Sequence, residues 1–210
     1  MAPDIILLNG TSSAGKSSLA RALQRQAGIP LLHASLDTFV DMFLWEAVTD
    51  PAERRACHAK GVENFHHTLA HLASGPFGIV VDHLLILPEW HEATRAALAN
   101  RRVHFVGVRC PLEVVEARER ARPDRKPGMA ASQFAHIHRH QTYDFEVDTS
   151  LATAEACAEK ILAFIHARHR EGNVGGVPPP RLEPSPNSGR LSRAASPRGE
   201  GTPPTSNFDE

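Results

Sequence analysis

Asn9-Gly10-Thr11-Ser12-Ser13-Ala14-Gly15-Lys16-Ser17, preceded by Ile5-Ile6-Leu7-Leu8, decides the fold of this chain. Successive apolar residues that stop at a Gly/Ser-rich turn read as a short parallel strand buried on both faces. Ser17 to Gln26 reads as a helix, with Leu19 and Leu23 one turn apart on one face. Between strand and helix the spacing Gly-x-x-x-x-Gly-Lys-Ser is complete from Gly10 to Ser17. Such a loop points backbone N–H groups at a polyphosphate, and the helix N-terminus adds the positive end of its dipole. The phosphate-binding residues are therefore Gly10, Thr11, Ser12, Ser13, Ala14, Gly15, Lys16, Ser17 and Ser18. Lys16 reaches the β- and γ-phosphates, and the Ser17 hydroxyl ligates Mg²⁺. The stretch predicts a bound nucleoside triphosphate.

Outward from the loop, strands and helices alternate. Pro30 to Ala34 reads as a second strand leading to Asp37, and a helical region from about Thr38 to Ser74 is broken near Asp50-Pro51. Gly78 to Val81 is a short strand ending at Asp82, and Pro88 starts a helix to Asn100. Val103 to Val108 is a strand, Pro111 opens a helix, and Tyr143 to Val147 is a last strand. Thr153 caps a closing helix in which Cys157, Ile161, Phe164 and Ile165 recur at helical spacing. Alternation of this kind predicts a parallel sheet covered by helices, with ligands at the carboxyl ends of the strands.

Residues 1–170 of the 210 read as one domain, and 171–210 as a tail rich in Pro, Gly and Ser. That segment has too few large apolar residues to offset its ordering entropy and is expected to be disordered. The 23 basic and 24 acidic side chains nearly cancel, which argues against nucleic acid or a membrane surface as partner. Cys57, Cys110 and Cys157 are expected to be reduced thiols. Without a leader-like or spanning apolar stretch, the chain reads as cytoplasmic.

Phosphoryl transfer needs the donor phosphates and Mg²⁺ held, the acceptor hydroxyl positioned, and developing charge neutralised. Asp37, beyond the second strand, can take the acceptor's hydroxyl proton; alternatively it caps the following helix. Asp41 lies one turn further on. Asp82 stands where such proteins hold Mg²⁺ or its water shell, with a strand-end turn as the other reading. Arg118 and Arg122 share a helical face, and Arg125 falls among Pro123, Pro127 and Gly128. These three arginines read as a lid over the phosphates, or as a solvated face interleaved with Glu116 and Glu119. His66, His67 and His71, and likewise His136, His138 and His140, lack the companions of a zinc motif and read as surface positions. His83 is a candidate substrate contact.

The phosphate loop, Asp37-Thr-Phe-Val-Asp41, Val106-Gly-Val-Arg-Cys110, the lid run with Gly128-Met-Ala-Ala131, and Tyr143-Asp-Phe-Glu-Val-Asp-Thr149 together resemble the chloramphenicol 3-O-phosphotransferase family. The resemblance runs from about Ile5 to Ile165. It implies a nucleoside-kinase-like P-loop fold, a three-layer α/β/α sandwich with a parallel sheet. It also implies ATP- and Mg²⁺-dependent phosphorylation of a drug hydroxyl, and with it antibiotic resistance. The family's catalytic carboxylate maps onto Asp37, its loop lysine onto Lys16, and its lid arginines onto Arg118, Arg122 and Arg125. The stretch from Asp41 to Gly75 diverges, with Phe43 and Trp45 either walling the acceptor or packing into the core. A kinase of an endogenous nucleotide, sugar or nucleotide-sugar, and a nucleotide-switched regulatory module, are the competing readings.

Overall fold

The computed structural model describes residues 4–122, 128–139 and 141–174. Its elements are β1 (Ile5–Asn9), α1 (Lys16–Gln26), β2 (Leu31–Ser35), α2 (Leu36–Val40), α3 (Pro51–Ala73), β3 (Gly78–His83), α4 (Pro88–Ala97), β4 (Val103–Arg109), α5 (Leu112–Arg120), α6 (Met129–Ile137), β5 (Phe145–Asp148) and α7 (Ala154–Val174). The strands form one parallel sheet in the order β2-β3-β1-β4-β5.

Because both faces of the sheet are covered, β1 is apolar at every position from Ile5 to Leu8. Ile6 and Leu8 of β1 point into one core with Leu19, Leu23, Val106, Val115 and Ile161. Ile5 and Leu7 point into a second core with Val62, Phe65, Leu69, Val81 and Phe105. Helices α1, α5 and α7 thus cover one face, and α2, α3 and α4 the other, giving the expected three layers. Strand β1 continues into α1 on one face, while its neighbour β3 continues into α4 on the opposite face. Adjacent strands whose helices part in this way open a crevice at their carboxyl ends. The phosphate loop and Asp82 sit at that crevice.

The punctuation is local. Asp50 caps α3 by accepting the Glu53 N–H at 2.9 Å, with Pro51 in the first turn. Thr153 Oγ1 accepts the Ala156 N–H at 3.2 Å and starts α7 as expected. Helix α7 continues past residue 170 to Val174, and the rest of the expected tail, 175–210, lies outside the described residues. The cysteines are free thiols, and no described helix is long and apolar enough to cross a membrane.

Candidate active site

Two backbone constraints shape the loop. A Cβ on Gly10 would stand 2.5 Å from the Val108 carbonyl oxygen, so β1 can leave the sheet here only through glycine. Gly15 has φ 88, the left-handed turn that lets the chain enter α1. Lys16, at the first position of α1, donates to the Gly10 and Thr11 carbonyls at 2.9 Å each, and its Nζ lies 3.9 Å from Asp82 Oδ1.

Ser17 Oγ donates to Asp82 Oδ2 at 2.7 Å, so hydroxyl and carboxylate form one oxygen pair on the crevice wall. Burial pushes the Asp82 carboxyl up. His33, whose Nε2 lies 3.5 Å away, together with Lys16 and Ser17, pulls it further down, so the group stays ionised below the usual carboxylate range. A hard oxygen pair of this kind suits Mg²⁺.

Asp37 lies in the first turn of α2 and is exposed. The cap of that helix is Ser35, whose Oγ accepts the Thr38 N–H at 3.4 Å. The capping role that competed for Asp37 is therefore filled by another residue. Lys16, Ser17, Asp37, Asp82, Arg118 and Arg122 all line a single cleft of about 780 Å³. Arg125 lies outside the described residues.

Arg118 is fixed by Thr149, the residue just past β5. Its Nη1 donates to Thr149 Oγ1 at 3.1 Å and its Nη2 to the Thr149 carbonyl at 2.8 Å. Thr149 Oγ1 in turn donates to the Ala14 carbonyl of the phosphate loop at 2.7 Å. Helix α5 ends at Arg120, so Arg122 stands beyond the helix and does not share a helical face with Arg118. Glu119 departs from the solvated reading altogether: it is 2 % exposed and accepts the Gly128 and Ala130 N–H groups at 2.8 and 2.9 Å. Those are the orphan donors at the start of α6, a helix the sequence reading had not delineated. On α6, Gln133 Oε1 accepts the Ser12 N–H at 2.9 Å and ties this helix to the phosphate loop. Gln133, Thr149 and Glu119 all act through partners distant in sequence, so spacing carried no sign of their roles.

The expectation that His66 is a surface position fails: it is buried on α3, in the stripe of Val62, Phe65 and Leu69. His83 Nδ1 accepts the Leu84 N–H at 2.8 Å, so its proton sits on Nε2 and is donated to His66 Nε2 at 3.0 Å. Burial, then His66, push His83 down to about 3, so it remains a neutral ring, stacked on Trp90 and edge-on to Phe65. His83 lines the cleft, as a substrate contact must. Phe43 and Trp45 do not line it; their ring centroids are 5.1 Å apart and Phe43 rests over Gly61 of α3. Behind the loop, Asn9 donates to Tyr143 Oη at 2.8 Å, and the Tyr143 hydroxyl lies 2.7 Å from His138 Nδ1. Burial pushes Tyr143 up to about 12 and His138 down to about 4, so both stay neutral and the tyrosine donates.

Residues 3–166 match the family model described as chloramphenicol phosphotransferase-like protein. The chain belongs to this family. A curated relative from Mycobacterium tuberculosis (strain H37Rv), named Putative O-phosphotransferase Rv2636, is 27 % identical over 184 residues, spanning 75 % of this chain and 80 % of the relative. Among solved structures the chain is similar to the APS kinase CysC of Mycobacterium tuberculosis, in complex with AMPPNP and APS. The TM-score is 0.59 at 19 % identity, covering 79 % of this chain and 98 % of that one. It is also similar to the shikimate kinase of Acinetobacter baumannii in complex with shikimate, with TM-score 0.58, 18 % identity, and 80 % and 95 % covered. The architecture is thus that of P-loop kinases, and the family member described here is a phosphotransferase.

Proposed function

We propose that this phosphotransferase uses ATP and Mg²⁺ to phosphorylate a hydroxyl of a small molecule. The observation that carries the reading is the meeting of Lys16, Ser17, Asp37, Asp82 and Arg118 on one cleft. Ser17 and Asp82 would hold Mg²⁺, which would supply charge to offset that of the phosphates. Lys16 and the loop amides bind the β- and γ-phosphates, and Arg118 and Arg122 neutralise the transferring group. The acceptor oxygen attacks the γ-phosphorus, the bond from that phosphorus to the bridging oxygen breaks, and the hydroxyl proton passes to the Asp37 carboxylate. ADP and a phosphate monoester leave.

Chloramphenicol is the acceptor the family description points to, and resistance to it the corresponding role. The Asp41 to Gly75 stretch diverges from the family, and that divergence supports a different acceptor equally well. The test is transfer from labelled ATP to chloramphenicol beside a panel of nucleosides, sugars and other hydroxylated antibiotics. Phosphorylated chloramphenicol supports the drug reading, and transfer to another acceptor moves the substrate while keeping the chemistry. Hydrolysis alone with every acceptor, coupled to nucleotide-dependent partner capture, would overturn the kinase reading in favour of a switch.

A further inference from the structure

At the end of the sheet away from the phosphate loop, Asp4, His104 and His169 bring two imidazoles and a carboxylate together. The three ligand atoms lie within 4.8 Å of one another. They come from the entry to β1, from β4 and from α7, elements held in place by both cores. His104 Nε2 lies 2.6 Å from Asp4 Oδ2, and His169 Nε2 lies 2.5 Å from the same oxygen. His104 is 2 % exposed, whereas His169 is 37 % exposed at its side chain, leaving an approach from solvent.

We propose that Asp4, His104 and His169 form a binding site for one divalent transition-metal ion of the Zn²⁺ class, with water completing the shell. Two imidazoles and one carboxylate are an established donor set for such ions, and three protein ligands leave an open position. Ligand bonds of about 2.0–2.1 Å in a tetrahedron place donor atoms about 3.3 Å apart. Opening the two Asp4 contacts by less than about 1 Å therefore makes room, through rotation of one carboxylate. Metal binding shifts each ring proton from Nε2 to Nδ1. For His104 the shift breaks no hydrogen bond at Nδ1, which has no partner among the described residues. Arg102, with Nη1 at 3.9 Å from Asp4 Oδ1, opposes a dication, but it is one-third exposed and well screened. The ion would staple the last helix to the first and fourth strands.

The test is Co²⁺ and Zn²⁺ binding to the untagged full chain, with saturating Mg²⁺ present to occupy the phosphate-loop site. One equivalent of Co²⁺ should give the visible absorption of a four-coordinate ion and be displaced by Zn²⁺. Zn²⁺ at about a hundredfold over its Kd should raise Tm by about 5–10 °C. Asp4→Asn keeps an oxygen acceptor for the two rings, so it should fold yet lose both signals, and His169→Ala should lose both too. His67→Ala, at an exposed histidine, should keep both. Absence of either signal in the native chain, or their survival in Asp4→Asn and His169→Ala, would overturn the proposal.

Discussion

Replacing Glu119 by alanine separates two views of the α5 face. As part of a solvated charged surface, the residue should be worth no more than about 0.5 kcal/mol. In the fold its carboxylate is 2 % exposed and accepts two backbone donors, at 2.8 and 2.9 Å. Hydrogen bonds to a charged group contribute about 1.5–3 kcal/mol each, which gives about 3–6 kcal/mol for the pair. Gly128 is exposed, so water recovers part of its share, and a net loss of about 3 kcal/mol is expected. In a chain of this size that corresponds to a fall in Tm of about 6–12 °C. Glu119→Gln offers one carbonyl oxygen and sets an amide NH₂ against the other donor, so it should recover less than half. Because Gln133 on the same helix holds the Ser12 N–H, ATP affinity should fall along with stability. The assay is urea and thermal unfolding followed by circular dichroism, with nucleotide titration alongside. A loss below about 1 kcal/mol in the alanine variant refutes the claim that Glu119 organises the start of α6.

Three further outcomes follow from the geometry. Thr149→Val removes one of the two acceptors for Arg118 and the donor to Ala14, and should weaken ATP binding by about fivefold, measured by calorimetry. Gly10→Ala drives a Cβ to 2.5 Å from Val108 O and should abolish nucleotide binding and cost about 1–3 kcal/mol in unfolding free energy. His83, held near 3 in the fold against 6.5 when unfolded, makes the unfolded chain bind the extra proton between those values. Its contribution therefore declines as pH falls, by about 2 kcal/mol between pH 7.5 and 5. His83→Asn, whose side-chain oxygen can still accept the Leu84 N–H, should remove that part of the pH slope in urea titrations.

What could be read in the sequence was what depends on neighbours along the chain. β1 was legible because a strand buried on both faces is apolar at every position, and the phosphate loop because its geometry needs Gly10, Gly15 and Lys16 at fixed spacing. Thr153 caps an N–H three residues away and was equally visible, whereas Asp50, which does the same for α3, was read only as a break before Pro51. Helix α6 was not, because its opening donors are satisfied by Glu119 from the preceding helix, and Gly128, with φ 90, offers no side-chain cap. Arg118 was read as a lid residue, and its fixing by Thr149, 31 residues on and just past the neighbouring strand β5, left no local sign. His66 falls within the apolar stripe of α3, and periodicity alone would have buried it. Its polarity argued otherwise, and only the pairing with His83 shows how a buried imidazole is satisfied. Asp37 read equally as cap or base, and the structure assigns the cap to Ser35, whose Oγ accepts the Thr38 N–H.

The central claim is that the Asp37 carboxylate takes the proton of a hydroxyl attacking the terminal phosphate of ATP held at Lys16. It is tested most directly by single-turnover phosphoryl transfer in Asp37→Asn, using the acceptor that the panel identifies, with ATP affinity measured on the same preparation. The transfer rate is expected to fall by at least about a hundredfold while ATP affinity stays within about twofold. Transfer at the native rate in Asp37→Asn would contradict it.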